Sequence, residues 1–190
     1  MSVVDRDRAA STGVSVVRRR SGGGAVRVDT GDPLWVDIWL PRGDPLWSDD
    51  VVAAAQWVGE WWASALEASG ARSLSVHDGP SMRRPWSHLV CFAGLGPGEV
   101  AADGRKVVGV SQWRSRQGAL FQTCAYRRFD PAPLVDLLDV RAAPGEGWGA
   151  LAEDLRTNVV GTSVIARHTF EAATLLDHLP AGADWETLAG

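Results

Sequence analysis

The sequence predicts an α+β fold in which a mixed, mostly antiparallel sheet is covered by packed helices. Three observations predict it. Short β-rich runs and helical runs come in blocks rather than in strict alternation, and Asp103-Gly104 is a two-residue hairpin signal, because both turn positions tolerate positive φ. A third is the segment from Ser48 to Gly70, whose apolar positions Val51, Ala55, Val58, Trp62, Ala65 and Leu66 form one stripe at helical spacing. Such a helix needs a sheet to pack on.

Taken in order, the opening to about Ser11 is polar and charged, and Val14 to Val17 reads as a short extended stretch. Gly24 to Val28 and Leu34 to Leu40 read as strands. In the second, Trp35, Asp37 and Trp39 alternate with Val36, Ile38 and Leu40, and bulky groups on both faces predict an interior strand. Ser48 is the predicted cap of the long helix, Asp49 and Asp50 suit its positive end, and Gly70 follows it. Its tryptophans read as core filling. Further strands are predicted over Ser73–Val76, His88–Phe92, Glu99–Ala102, Arg105–Gln112 and Gly118–Tyr126, so Lys106 stands two residues into a return strand. Asp130-Pro131 starts a helix with Leu134 to Val140 as its apolar body. A glycine-rich loop over Pro144–Gly149 precedes another helix, and Ala166–Leu179 is a last helix stopped by Pro180.

With 190 residues, 45% of them hydrophobic, the chain supports one sizeable core and reads as a single domain, 1–190. A formal net charge of -4 gives no reason to expect nucleic-acid or anionic-membrane binding. No window approaches the ~18 apolar residues of a membrane span, and Asp5, Arg6, Asp7 and Arg8 leave no signal-peptide core, so a cytoplasmic location is expected. There Cys91 and Cys124 are expected as free thiols. His77, His88, His168 and His178 show no ligand spacing, so no tightly bound metal is expected.

The basic residues are arginines apart from Lys106, the single lysine. Arginine stays protonated, whereas lysine offers a compact ammonium with a tunable pKa. On composition alone Lys106 is equally a surface residue. The most specific segment is Arg18-Arg19-Arg20-Ser21-Gly22-Gly23-Gly24-Ala25-Val26. Consecutive glycines bring backbone N–H groups close to an anion, and arginines add charge-assisted hydrogen bonds to carboxylate or phosphate. In isolation, a triglycine is a flexible turn.

This segment resembles the RRxSGGGAV signature of the lipoate-protein ligase and octanoyltransferase family, in the superfamily of the biotin and lipoate protein ligase catalytic domains. Asp29 and Gly31 stand where the family has an aspartate and a glycine. A second stretch, Cys91-Phe92 through Gly104-Arg105-Lys106-Val107-Val108-Gly109 to Ser111-Gln112 and Arg114, is similar to the family's CF and GRK-[IV]-xGsaQ-x-R region. The resemblance covers about 14–126, with a helical part at about 130–190. It implies the fold of that superfamily, shortened at the N-terminus and without an accessory C-terminal domain. It implies acyl or adenylate contacts for Arg19, Arg20, Ser21, Gly22, Gly23, Gly24, Ala25, Gly109, Ser111 and Gln112, and a lysine, Lys106, at the acyl carbonyl. Cys91 resembles the nucleophile of one octanoyltransferase branch, 15 positions before the lysine as there; a cysteine in an apolar strand is also a small core residue.

The implied activity is attachment of a lipoyl or octanoyl group to a lysine of a lipoyl domain. The route is either adenylation with ATP and Mg or a cysteine thioester with an acyl carrier protein as donor. The acceptor is a lipoyl domain of an acyltransferase complex or a glycine cleavage H-type protein. The chain departs from the family after Gly118, where Phe121-Gln122-Thr123-Cys124-Ala125 replaces a histidine-glycine pair, and Cys124 there narrows the acyl pocket. With the short N-terminus, this leaves open a non-catalytic relative that binds an acyl group or lipoyl domain.

Overall fold

The structure is a computed structural model that describes residues 3–139, 147–181 and 185. Among them is one five-stranded sheet, β1 (Leu34–Pro41), β2 (Leu74–Val76), β3 (Val100–Ala102), β4 (Arg105–Arg114) and β5 (Gly118–Ala125), in the order β1-β5-β4-β3-β2. Every strand pairing in it is antiparallel, and parallel contacts occur only as single bridges, Ala25 with Val90 and Lys106 with Val159.

The turn between β3 and β4 has the predicted backbone, with φ of 46° at Asp103 and 74° at Gly104. Beyond it the ladder slips. Ala101 faces Lys106 but Val100 faces Val108, so β4 carries one extra residue, Val107. Bulges of this kind re-aim side chains beside functional sites. Here the slip reverses the alternation, so Lys106 and Gly109, three residues apart, lie on one face. A Cβ on Gly109 would stand 3.6 Å from Lys106 Cε and 3.2 Å from the Phe92 ring.

One face of the sheet is covered by α2 (Val51–Ala68), which buries Val58, Trp62, Ala65 and Leu66 against Ile38, Leu40, Val108 and Phe121. Its cap is Asp50, whose carboxylate accepts from Val52 N–H and Ala53 N–H, rather than the predicted Ser48; Ser48 Oγ accepts from Asp50 N–H one step earlier. The other face carries a second core of Leu89, Val90, Phe92, Cys124, Leu138, Leu151 and Leu155, drawn from the chain crossing between β2 and β3 and from α3 (Ala132–Val135) and α4 (Gly147–Asn158).

Several elements differ from the sequence reading. β1 is an edge strand, bonded only to β5, because bulk on both faces reports what lies above and below a strand and not what lies beside it. His88–Phe92 is not a strand; it is a turn leading into a 3-10 helix, Cys91–Ala93, so its apolar residues are buried without joining the ladder. Val14–Val17 and Gly24–Val28 join no strand ladder, apart from the single bridge at Ala25. The opening contains α1 (Arg6–Ser11), which the reading missed; it is held by the Asp5 cap and by Arg8 Nη1 donating to Asp136 O at 2.8 Å.

The helix begun by Asp130-Pro131 ends at Val135, and Val140 lies outside the described residues, as does the 144–146 part of the glycine-rich loop; Gly147 to Gly149 already open α4. Of the long final helix over 166–179 only α6 (Ala172–Leu176) forms, and a separate short helix, α5 (Thr162–Ile165), precedes it. Between them Arg167 N–H and His168 N–H donate to Ser69 O at the end of α2, and Phe170 is buried beside Trp62. Those tertiary bonds outcompete continuation of the helix. No helix among the described residues is long and apolar enough to cross a membrane.

Candidate active site

The triglycine segment and Lys106 meet at Cys91 from opposite sides. Ala25 N–H donates to Leu89 O at 2.7 Å, and Cys91 N–H donates to Ala25 O at 3.0 Å, which lays the glycines directly on the turn that carries the cysteine. Gly24 is needed for that approach, since a Cβ there would stand 2.6 Å from both Leu89 C and Val90 N. Gly23 has φ of 97°, and its Cβ direction points at the Arg19 guanidinium, with Cys91 Sγ 3.7 Å away. Gly24→Ala is therefore expected to force the two backbones apart and cost about 1–3 kcal/mol, with a matching loss of any activity that depends on Cys91. A urea melt and an acylation rate check it, and wild-type values for both would contradict the packing argument.

Arg19 is the cation at the sulfur. Its Nη2 donates to Cys91 Sγ at 3.2 Å and to Gly24 O at 3.1 Å, and its Nη1 donates to Ser111 Oγ at 3.3 Å. Ser111 Oγ donates to Ser21 Oγ at 3.0 Å, Ser21 Oγ to Gln122 Oε1 at 2.8 Å, and Gln122 Nε2 to Asp37 Oδ1 at 3.2 Å. One chain of polar groups thus orients the guanidinium from the solvent edge inward, and Ser21 within it is fully buried. Arg20 turns the other way, its guanidinium 5.4 Å from the Trp113 ring.

Lys106 is 3% exposed, and its ammonium has a full set of partners. Nζ lies 2.6 Å from Glu99 Oε2, donates to Cys91 O and Gly94 O at 3.1 Å each, and sits 4.8 Å from the Phe92 ring centre. An ammonium has three protons, and these three oxygens take them all. The carboxylate of Glu99 also accepts from Gly96 N–H at 2.7 Å and Val110 N–H at 3.2 Å. Glu99 was not among the expected site residues, yet a signal existed. The two-residue hairpin at Asp103-Gly104 sets Ala101 opposite Lys106, which puts Glu99, two positions earlier, on the lysine's face.

One space lies along the triglycine segment and a second at the cysteine. A cleft of about 1190 Å³ runs along the segment from Val14 to Val28, with Arg18, Arg19 and Arg20 and the glycines at its polar side and Trp35, Leu134 and Leu137 among its apolar walls. Beneath Cys91 is a void of only about 10 Å³, bounded by Cys124, Gly109, Val26 and Trp35. That is about the smallest space a water molecule needs, and Cys124 is among the residues that line it. Both cysteines are free, and burial pushes the Cys124 thiol well above its ordinary range, which keeps it protonated at neutral pH. Burial likewise raises Tyr126, whose hydroxyl donates to Arg27 O at 2.6 Å.

Of the residues expected at the site, Arg19, Ser21, Gly22, Gly23, Gly24, Ala25, Cys91, Lys106, Gly109 and Ser111 are gathered around this turn, and Arg20 lies at the cleft. Gln112 is not brought there. It projects from the opposite face of β4, where Nε2 donates to Val51 O at the start of α2 at 3.2 Å. Among the described residues no group of three or more His, Cys, Asp and Glu side chains is arranged to hold a metal ion.

Residues 1–149 match the model of the lipoyl protein ligase A/B catalytic domain. The octanoyltransferase LipM of Exiguobacterium sp. (strain ATCC BAA-1283 / AT1b) is 31% identical over 124 residues, which are 63% of this chain and 44% of that protein, so the chain spans less than half of the curated relative. Two solved structures share the fold. A bi-partite lipoate protein ligase from Thermoplasma acidophilum, studied with its E2 lipoyl domain, has a TM-score of 0.66 at 17% identity, covering 92% of this chain and 58% of its own. A lipoate-protein ligase A bound with ATP has a TM-score of 0.64 at 18% identity, covering 92% and 60%. With residues 1–149 of its 190 matching that model, the chain belongs to the lipoyl protein ligase A/B catalytic domain family.

Proposed function

We propose that the protein transfers an octanoyl or lipoyl group to a lysine of a lipoyl domain through a thioester on Cys91. The observation that carries this reading is the position of the Cys91 sulfur, half-exposed and 3.2 Å from the Arg19 guanidinium at the mouth of the triglycine turn. A cysteine sulfur is a nucleophile that can carry an acyl group as a thioester, and the fixed guanidinium beside it orients it.

In the first step Cys91 Sγ bonds to the carbonyl carbon of a thioester donor, and the donor thiol leaves with the electron pair of its C–S bond. In the second, the acceptor amine attacks the acyl-cysteine, loses a proton to solvent, and returns the Cys91 thiolate. Negative charge develops on the acyl oxygen in both steps. The Arg19 guanidinium, fixed beside the sulfur, is a preorganised cation for that oxygen, and a donor fixed before reaction stabilises the charge without reorganising. The apolar walls of the cleft suit a medium-length chain, and its arginines suit the anionic end of a donor such as an acyl carrier protein.

The competing route, adenylation with ATP and Mg, is favoured by the ATP-bound relative and by the arginine and glycine lining of the cleft, which fits a phosphate. One preparation separates the two. Incubation with an octanoyl thioester is expected to add one octanoyl mass to Cys91, and a lipoyl domain to remove it, without ATP. Pyrophosphate exchange with lipoate and ATP, and no Cys91 adduct, would overturn the thioester reading in favour of the ligase. Octanoate binding with neither activity would establish the non-catalytic alternative.

A further inference from the structure

The structure assigns Glu99 as a positioning residue that acts through Lys106 on Cys91; the assignment rests on the reading of Cys91 as nucleophile. Glu99 is 5% exposed, and four contacts converge on it and its partner lysine from separate stretches of chain. Its Oε1 accepts from Val110 N–H in β4, and its Oε2 accepts from Gly96 N–H in the loop that follows the cysteine. The same Oε2 holds Lys106 Nζ at 2.6 Å, and that ammonium donates to the carbonyl oxygens of Cys91 and Gly94. The carboxylate therefore fixes both ends of the Cys91–Gly94 turn to the sheet.

Without Glu99, the ammonium keeps two carbonyl partners but loses the anion that sets its direction. Lys106 cannot be replaced in this by arginines nearby, since a planar guanidinium does not fit three oxygens arranged around a point. The consequence for Cys91 is geometric. Its N–H is held by Ala25 O, its carbonyl by Lys106, and its sulfur by Arg19, so each peptide flank of the nucleophile is anchored by a different element. Removing the lysine's anchor leaves one flank loose, and a displacement of ~1 Å at a reacting atom costs on the order of a hundredfold in rate.

The test is a double-mutant cycle of Glu99→Gln, Lys106→Met and the pair together, read by single-turnover octanoylation of Cys91 and, independently, by its alkylation with iodoacetamide. Cys124 is buried, so alkylation reports Cys91. Each single variant is expected to slow octanoylation by roughly a hundredfold, with the donor concentration at half-saturation changed less than about threefold. The pair is expected to be no slower than Lys106→Met alone, because Glu99 works only through the lysine. Glu99→Asp should recover part of the rate. Independent, multiplicative losses, or a Glu99→Gln protein with wild-type octanoylation and alkylation, would overturn the assignment.

If the single variants do not fold, the neutral pair is the arm that decides, since replacing both partners of a buried ion pair is tolerated where removing one is not. Folded and as reactive as wild type, it sinks the proposal. Absence of octanoylation in the wild type would instead sink the thioester reading, and the alkylation arm would still judge Glu99.

Discussion

Lys106→Ala is expected to slow acyl transfer by roughly a hundredfold or more and to lower the unfolding free energy by about 3–5 kcal/mol, because it leaves the Glu99 carboxylate buried without its counter-charge. Two effects are superposed here and can be separated. The stability loss follows from the 2.6 Å ion pair and the 3% and 6% exposure of its side chains, and appears as a lower urea midpoint with unchanged slope. The activity loss follows from the turn that Lys106 fixes, and is measured per folded molecule at low temperature, below the melting transition. Full octanoyl transfer by the folded variant would show that the ammonium has no part in the reaction.

Cys91→Ser is expected to remove the hydroxylamine-sensitive acyl-enzyme and to reduce transfer by at least about a thousandfold, the size of effect seen when a nucleophile is deleted from a site whose other groups remain. Folding should be nearly untouched, within ~0.5–1 kcal/mol, since a serine hydroxyl can accept from Arg19 where the sulfur does and the N–H and carbonyl bonds of residue 91 are backbone bonds. Mass spectrometry of the variant after incubation with a thioester donor checks the first part and thermal melting the second. A variant that retains ATP-dependent lipoate attachment at the wild-type rate would make Cys91 a packing residue of a ligase.

Both outcomes turn on what kind of information fixes each part of the site. Elements set by local chemistry were readable. Asp103-Gly104 can turn in only a few ways, the apolar stripe of α2 has one period, and a triglycine permits the close approach of two backbones that Gly24 makes. What failed was anything settled in the plane of the sheet or by distant partners. Side-chain alternation in Leu34–Leu40 could not say which strand lay beside it, and the apolar run around Cys91 looked like a ladder strand because burial was visible and hydrogen-bond partners were not. The helix over 166–179 was broken by Ser69 O, about a hundred residues earlier in the chain.

By itself, then, the sequence determined the kind of fold, the hairpin that carries Lys106, and the two segments that meet at the site, since each depends on residues within one turn or one period of each other. Tertiary structure alone decided that Val107 bulges so that Lys106 and Gly109 share a face, that Gln112 faces α2, and that Arg19 rather than Lys106 points at the sulfur. Those outcomes depend on which groups compete for each proton and each patch of apolar surface once the chain is packed, and that competition has no expression in the order of the residues.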